Sequence, residues 1–218
     1  MKTIFLAVLM AGAATSALAA DLPTRKGAPM APAPMYAPAF TWGGLYVGIN
    51  GGYGYGAMGN TNFASPNGGM IGGTIGYNWQ MGQIVFGGEA DLDWASLNAG
   101  NSFAAGTNNY KVNWMTTERL RLGYAVDRAL FYVTGGYAGM GTHASINAAG
   151  PYFNSQDRWR SGGVIGGGIE YAFTNNISAK AEYLWAPMES ETYWAVTPYQ
   201  ETNHMDVSLF RVGLNYKF

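Results

Sequence analysis

The last nine residues of the chain alternate between two kinds of side chain. One set is apolar, and the residues between its members are polar, charged or glycine. The apolar set is Phe210, Val212, Leu214, Tyr216 and Phe218. Because successive side chains of a strand point to opposite faces, this period of two predicts a β-strand with one apolar face.

The composition limits what can cover that apolar face. The 218 residues fit one domain, with 11% charged residues, 15% aromatic residues and 32 glycines. Beyond the N-terminal region, no run approaches the ~18 apolar residues of a membrane-spanning helix. These values favour a β-barrel whose strands turn apolar side chains toward lipid. A soluble, glycine-rich β-sandwich is the alternative that composition leaves open.

Residue counts argue against several kinds of site. The chain has no cysteine, which excludes a disulfide scaffold and a thiolate metal site. The net charge of −1 argues against nucleic acid as a partner. We therefore expect no metal, no cofactor and no nucleic-acid partner.

Two N-terminal segments are predicted to lie outside the barrel. Residues 1–19 have the pattern of a secretory signal peptide, with Lys2, an apolar core and an Ala-x-Ala cleavage site at 17–19. We expect export through the Sec pathway. Residues 20–41 contain five prolines among alanines, which predicts a Pro-rich periplasmic linker. The barrel is then expected over residues 42–218.

Eight segments in that region show strand-like alternation. The sequence therefore predicts an all-β protein, an eight-stranded antiparallel up-and-down transmembrane β-barrel. The segments are 44–53, 70–80, 83–94, 111–124, 129–140, 159–173, 177–185 and about 205 to the terminus.

Connection lengths support this arrangement. Short turns are predicted at 81–82, 126–127 and 174–176, and the other connections are long, as in outer-membrane barrels. Directly opposite residues of an antiparallel pair share a face, and all three turns satisfy that requirement. The turns are expected to pair Gln80 with Gln83, Leu122 with Phe131, and Glu170 with Lys180. The long outer loops are expected at 54–69, 95–109, 141–158 and 187–203.

Tryptophans lie near the ends of the predicted strands. Trp and Tyr are enriched at the two membrane–water interfaces of membrane proteins. We therefore predict two aromatic girdles. The tryptophans assigned to them are Trp42, Trp79, Trp94, Trp114, Trp159 and Trp185.

Several short motifs, in order along the chain, resemble one family, the small outer-membrane β-barrel surface proteins of alphaproteobacteria, often termed the porin family. The motifs are TWGGLYVG at 41–48, GEAD at 88–91, RLRLGY at 119–124, TGG at 134–136, GGGIEYAF at 166–173, KAEY at 180–183 and RVGLNYKF at 211–218.

The resemblance implies a barrel in the bacterial outer membrane, exposed at the cell surface. We expect a structural role in envelope integrity and as a surface antigen. The resemblance also implies that the terminal strand, with its five apolar residues, is the signal for the barrel-assembly machinery. Outer-membrane lipid and lipopolysaccharide are the expected surroundings. Activity is not uniform in that family.

Charged residues are predicted on the inward faces of several strands. An eight-stranded barrel is just wide enough for side chains to fill it, so unpaired charges there would be costly. We expect a paired network, with Glu170 bound to Lys180 first. The alternative is a charged constriction in a narrow pore for ions or very small solutes. The inward charges are Glu89, Asp91, Asp93, Glu170 and Glu182, with Arg119, Arg121, Lys180 and Arg211.

A third possibility is a lipid-modifying barrel enzyme. The triplet His143-Ala144-Ser145 resembles the His-x-Ser pair of outer-membrane lipid A deacylases, which act with a carboxylate on the barrel wall. The outward carboxylate nearest in sequence is Glu118, which the predicted turn places opposite Gly135. That is on the order of 26 Å along the strand from His143, at ~3.3 Å per residue. A catalytic hydrogen bond needs ~3 Å. We therefore expect no enzyme activity, although a loop carboxylate stays open.

Glu118 is unusual in its own right. It is predicted to face lipid near mid-depth, where a carboxylate is unfavourable. It could lie nearer the surface, extend toward it, or face a neighbouring protein. With Thr116 beside it on the same face, we predict a lateral contact patch and a homo-oligomer.

Overall fold

The computed structural model describes residues 40–59, 65–103, 106–148, 153–193 and 201–218. The predicted signal peptide and all of the linker except its last two residues, Phe40 and Thr41, lie outside these ranges.

Eight antiparallel strands pair in sequence order, and the last pairs with the first. The predicted fold class, a closed eight-stranded up-and-down barrel, is therefore confirmed. No helix in the described ranges is long and apolar enough to cross a membrane. The strands are β1 (Gly44–Met58), β2 (Asn67–Met81), β3 (Ile84–Phe103), β4 (Gly106–Val126), β5 (Ala129–Ala148), β6 (Phe153–Ala172), β7 (Ile177–Tyr193) and β8 (Glu201–Lys217).

The strands extend far beyond the predicted boundaries, so the prediction of long outer loops is wrong. Pairing of β3 with β4 continues to Phe103 and Gly106, and β4 is 21 residues long. The physical reason is that the predicted loops keep strand alternation. Their inward residues, such as Leu97, Ala144 and Met188, are apolar and buried inside the barrel. Burial of these side chains favours a longer wall over free loops.

Two of the three predicted turn registers are wrong by two residues. Met81 pairs with Ile84, so the first turn consists of 82–83. The second consists of 127–128, which pairs Leu122 with Val133. In each turn the first residue has a positive φ, 62° at Gly82 and 51° at Asp127, as hairpin turns of the primed types require. An even shift keeps every residue on its predicted face. The third turn is as predicted, with Glu170 opposite Lys180.

The outer wall of the barrel is apolar. Large apolar side chains of all eight strands are exposed on it, including the five of the terminal strand, which are 48–68% exposed. Phe218 follows the end of β8, and its backbone N–H donates to the carbonyl of Leu45 on β1 at 3.0 Å. The C-terminal residue therefore takes part in closing the barrel.

Adjacent glycines on β3 allow a test of the two faces. A Cβ added to Gly87 would overlap the backbone carbonyl of Tyr77, whereas the atom nearest a Cβ at Gly88 is 4.0 Å away. We expect Gly87→Ala to lower the free energy of unfolding by about 1–3 kcal/mol, the usual cost of overpacking. Gly88→Ala should change it by less than ~0.5 kcal/mol. Urea unfolding of the refolded barrel in detergent measures both; equal losses would contradict the assigned faces.

Candidate functional site

The interior of the barrel is the candidate site, and it has three layers. The first, at the end with the short turns, is an apolar group that we name the mouth cluster. The second, the charged layer, contains the nine predicted inward charges. The third, toward the other end, is the apolar outer cluster. The mouth cluster consists of Trp42, Val85, Ala125, Leu130, Tyr132 and Ala172, with Phe40 packed against it.

All nine predicted charges of the charged layer point inward, and each is at most 6% exposed. Sequence analysis missed a tenth buried charge, Arg160, which is 1% exposed. It lies in the same cross-strand row as Asp93, through Met115 and Met140. Its position after the outward Trp159 could have identified it by alternation. With Arg160, the buried interior holds five acidic and five basic side chains.

Arg211 contacts three carboxylates of the charged layer. Its side chain has no exposed surface. The guanidinium donates to Glu182 at 2.6 Å, to Asp93 at 2.7 Å and to Asp91 at 3.1 Å. Asp91 also accepts from the hydroxyls of Thr74 and Thr117, at 2.6 and 2.8 Å. A single cation on β8 thus holds two carboxylates of β3 and one of β7.

Two arginines of β4 complete the layer. Arg119 donates to Asp91 at 2.6 Å, to Glu182 at 3.1 Å and also to Glu89. Arg121 donates to Glu170 at 2.8 Å, and its guanidinium carbon lies 4.1 Å from the centre of the Tyr132 ring. Several of these contacts cross the lumen from β4 to β6 or β7. The layer is therefore one connected network.

The predicted ion pair between Glu170 and Lys180 is wrong, although the two residues are opposite each other. The Lys180 ammonium donates to Glu89 on β3 at 3.0 Å, across the lumen. Glu170 instead binds Arg121 and accepts from Ser178 and Asn215, at 2.6 and 2.8 Å. The reason is the narrow lumen, since a long lysine side chain spans it and meets a carboxylate on the opposite wall.

The prediction that Trp42 belongs to an aromatic girdle is wrong. Trp42 is 3% exposed and packs inside the mouth, where its backbone N–H donates to Gln80 at 2.6 Å. Phe40 packs edge-on against it, with ring centres 5.1 Å apart. The Lys217 ammonium lies 4.7 Å from the Phe40 ring and donates to the carbonyl of Thr41. Residues 40–42 therefore cover the mouth of the barrel from within.

The other five predicted girdle tryptophans lie on the outer wall and are 41–78% exposed. Trp94 pairs with Trp114, and Trp114 and Trp159 flank Gly141 in the same row. The ring centres of Trp114 and Trp159 are 4.9 Å apart. This row lies far from the short turns, near which Trp79 stacks on Phe86 at 5.3 Å. The arrangement matches two interfacial belts.

The outer cluster fills the other half of the lumen and was not predicted. Its 17 buried residues include five methionines, and Met58 packs against them. Methionine is unbranched and flexible, which suits the filling of an irregular lumen. A sequence signal was present, because the apolar residues of β8 change face, from Met205, Val207 and Leu209 to the set that begins at Phe210. The five buried methionines are Met70, Met115, Met140, Met188 and Met205.

The two histidines lie on the outside. His143 Nδ1 is 2.6 Å from Asp157 on β6, and His204 Nε2 is 3.1 Å from Asp206. A carboxylate beside a histidine also occurs in catalytic triads, where it orients the base toward a nucleophile. The contact that the structure gives the His143 ring is to a carboxylate and not to a nucleophile. No group of three His, Cys, Asp or Glu side chains that could hold a metal ion occurs in the same ranges.

Glu118 lies on the outer wall, as predicted, but opposite Tyr137 rather than Gly135. Seven residues of β4 separate it from Lys111, the partner of His143, which is about 23 Å at ~3.3 Å per residue. Glu118 therefore cannot act with His143. Its carboxyl contacts the Thr116 hydroxyl at 2.9 Å.

A closed antiparallel barrel with an apolar outer wall, two aromatic belts and buried interior charges defines a transmembrane β-barrel of the outer-membrane type. A family model described as the Outer membrane protein beta-barrel domain matches residues 4–218. The chain belongs to this family, and it is a bacterial outer-membrane protein.

Relatives agree with this assignment. The 31 kDa outer-membrane immunogenic protein of Brucella melitensis is 35% identical over 242 residues, which cover all of both chains. The 22 kDa outer membrane protein of Rhizobium leguminosarum bv. viciae is 33% identical and covers 72% of this chain and 69% of its own. The crystal structure of Ail from Yersinia pestis has a TM-score of 0.48 at 13% identity, covering 81% of this chain and 99% of Ail. The Brucella and Rhizobium relatives, together with the family match, make the chain a surface barrel of the outer membrane.

Proposed function

We propose that this protein is a structural, non-catalytic surface barrel whose interior is filled by side chains, and that it contributes to envelope integrity and acts as a surface antigen. The observation that carries the proposal is the contact between Lys180 and Glu89, which joins opposite walls of the lumen at 3.0 Å. Hydrated ions could pass through the lumen only if water filled the space that these two side chains occupy.

The apolar layers on either side support a closed interior. An ion that entered from either end would first cross the outer cluster or the mouth cluster. Transfer of a charge into an apolar medium is strongly unfavourable unless it is paired. Open aqueous channels are found in barrels of ~16 strands or more, not in those of eight.

The absence of catalysis is part of the proposal. The ring contact given for His143 is to the Asp157 carboxylate, and Glu118 lies too far along β4 to act with it. The relatives are named as immunogenic outer-membrane proteins, which suits an antigen and not a lipid-modifying enzyme. We also propose that the terminal strand, whose five apolar side chains are exposed, is recognised by the barrel-assembly machinery.

Planar-bilayer recording of the refolded barrel tests the closed interior. We expect no discrete conductance steps from the wild type, with folding shown independently by heat-modifiable gel migration. Lys180→Met removes the cation that joins the two walls and should also stay silent, because both apolar layers remain. Reproducible steps in the wild type that change in Lys180→Met would contradict the proposal and establish a narrow pore instead.

A further inference from the structure

On the outer wall, a polar patch that includes a carboxyl lies at membrane depth on β4, β5 and β6. It consists of Glu118, Thr116, Tyr137, Ser161 and Trp159, which we name the wall patch. Glu118 is opposite Tyr137, and Thr116 is in the row that leads through Gly139 to Ser161. We propose that the wall patch is the contact surface between two copies of this chain in the outer membrane.

The depth of Glu118 is unfavourable for a carboxyl in lipid. It is four residues from Trp114 of the outer aromatic row and six from Tyr124 near the turns, or ~13 and ~20 Å along the strand. Between these rows it is the one charged side chain on the outward face of the described strands. Hydrocarbon offers it no hydrogen bond, so a partner that does would stabilise it.

The number of hydroxyl protons limits the hydrogen bonds that the wall patch can form internally. The Thr116 hydroxyl lies 2.9 Å from the carbonyl of Asp91 and 2.9 Å from the Glu118 carboxyl, but it has one proton. That one proton cannot serve both oxygens fully, so the Glu118 carboxyl, which is exposed on the outer wall, keeps the capacity to accept a hydrogen bond from another molecule.

The neighbouring tyrosine supplies a donor. The Tyr137 hydroxyl accepts from the Trp159 indole at 3.1 Å and lies 2.9 Å from the Ser161 hydroxyl. Either hydroxyl can be the donor of this second contact, and when Ser161 donates, the Tyr137 proton is available for a further hydrogen bond. The wall patch thus presents one acceptor and one donor on adjacent strands, and it is complementary to itself.

A two-fold axis along the membrane normal brings these groups together. Such an axis places β4 of one copy opposite β5 of the other at the same height, as in other isologous contacts. Each Glu118 then accepts from the Tyr137 of the second copy, and the bond is made twice. Small outward residues allow the walls to approach, since Ala90 and Gly163 flank the pair and a Cβ at Gly135 or Gly163 would meet nothing closer than 3.5 Å.

Cysteine cross-linking tests the proposal without background, because the chain has no cysteine. The two-fold axis runs between β4 and β5 and places the two copies of each residue at the same height. Vesicles that contain Gly135→Cys, two residues from Tyr137 on the outer face of β5, should therefore give a dimer with a short bifunctional thiol reagent. Val212→Cys, on the far wall, should give none. A dimer through Val212→Cys, or no dimer in either sample, would overturn the proposal.

Substitutions of Glu118 test whether its carboxyl contributes to the contact between the two copies. With Gly135→Cys in place, Glu118→Leu should reduce the dimer fraction about tenfold, because two intermolecular hydrogen bonds are lost. Glu118→Gln should preserve it, because an amide can donate to Thr116 and accept from Tyr137. The matched control is Ser208→Leu, which removes the hydroxyl bound by Tyr183 at 3.0 Å on another part of the wall. Equal dimer fractions for Glu118→Leu and Ser208→Leu would exclude the wall patch as the contact.

Discussion

Replacement of Arg211 by methionine is expected to lower the free energy of unfolding by about 3–5 kcal/mol, the cost of breaking a buried ion pair. The methionine fills much of the space but leaves Glu182, Asp91 and Asp93 without their shared cation. The penalty is the burial of uncompensated negative charge, so it exceeds the net value of the lost hydrogen bonds. Urea unfolding in detergent, followed by tryptophan fluorescence, measures it.

Two further variants show whether the stability is lost because carboxylates are left unpaired or because any arginine has been removed. Arg128→Met, at a turn where the guanidinium contacts Asn175 at 3.0 Å, should cost less than ~1 kcal/mol. Asp93→Asn in the Arg211→Met background removes one unpaired carboxylate. The double variant should therefore lose less than the sum of the single losses. Equal losses for the two arginines would show that the interior charges are hydrated.

Trp42→Ala is also expected to lower the free energy of unfolding by about 3–5 kcal/mol, the range for removal of a buried tryptophan side chain. The side chain is 3% exposed and supports Phe40 at the mouth. Trp79→Ala is the control, because Trp79 is 49% exposed on the outer wall near the same end and should cost less. The same unfolding assay compares them. A larger loss for Trp79 would return Trp42 to the girdle where sequence analysis placed it.

Removal of Trp42 also has an expected result in the bilayer. The charged layer and the outer cluster remain in place, so the variant should stay silent in planar-bilayer recordings. Discrete steps in Trp42→Ala alone would show that residues 40–42 are what closes the barrel.

Strand faces were predictable because alternation depends only on parity. Phe131 and Leu122 kept their outward positions although their predicted pairing was wrong by two residues. The register itself depends on which turn residue adopts a positive φ, and Asp127 gives little sign of that in sequence. The long loops were predicted because polar and small residues are frequent in them. The apolar residues that alternate with them are the signal that these segments continue as strands.

The interior could be predicted as a set of residues but not as a set of contacts. Glu170 and Lys180 were correctly placed opposite each other, yet each binds a residue of another strand. Cross-strand neighbours are set by the chain, whereas partners across a lumen depend on its width and on side-chain reach. The same limit applies to Trp42, because strand alternation does not describe a residue that precedes the first strand and folds back into the mouth.

The placement of the ion pairs has a consequence for the order of events in assembly. Of the buried charges, β1–β4 hold three acids and two bases, and β5–β8 hold two acids and three bases. Bonds such as those of Arg211 with Asp91 and Asp93 join one half of the chain to the other. Each half alone carries an unbalanced charge, which is compensated when the two halves pair. Closure of the seam between β8 and β1 and the exclusion of water from the lumen therefore occur together. A barrel open at that seam keeps water around its carboxylates, and closure is therefore the step at which the protein becomes rigid.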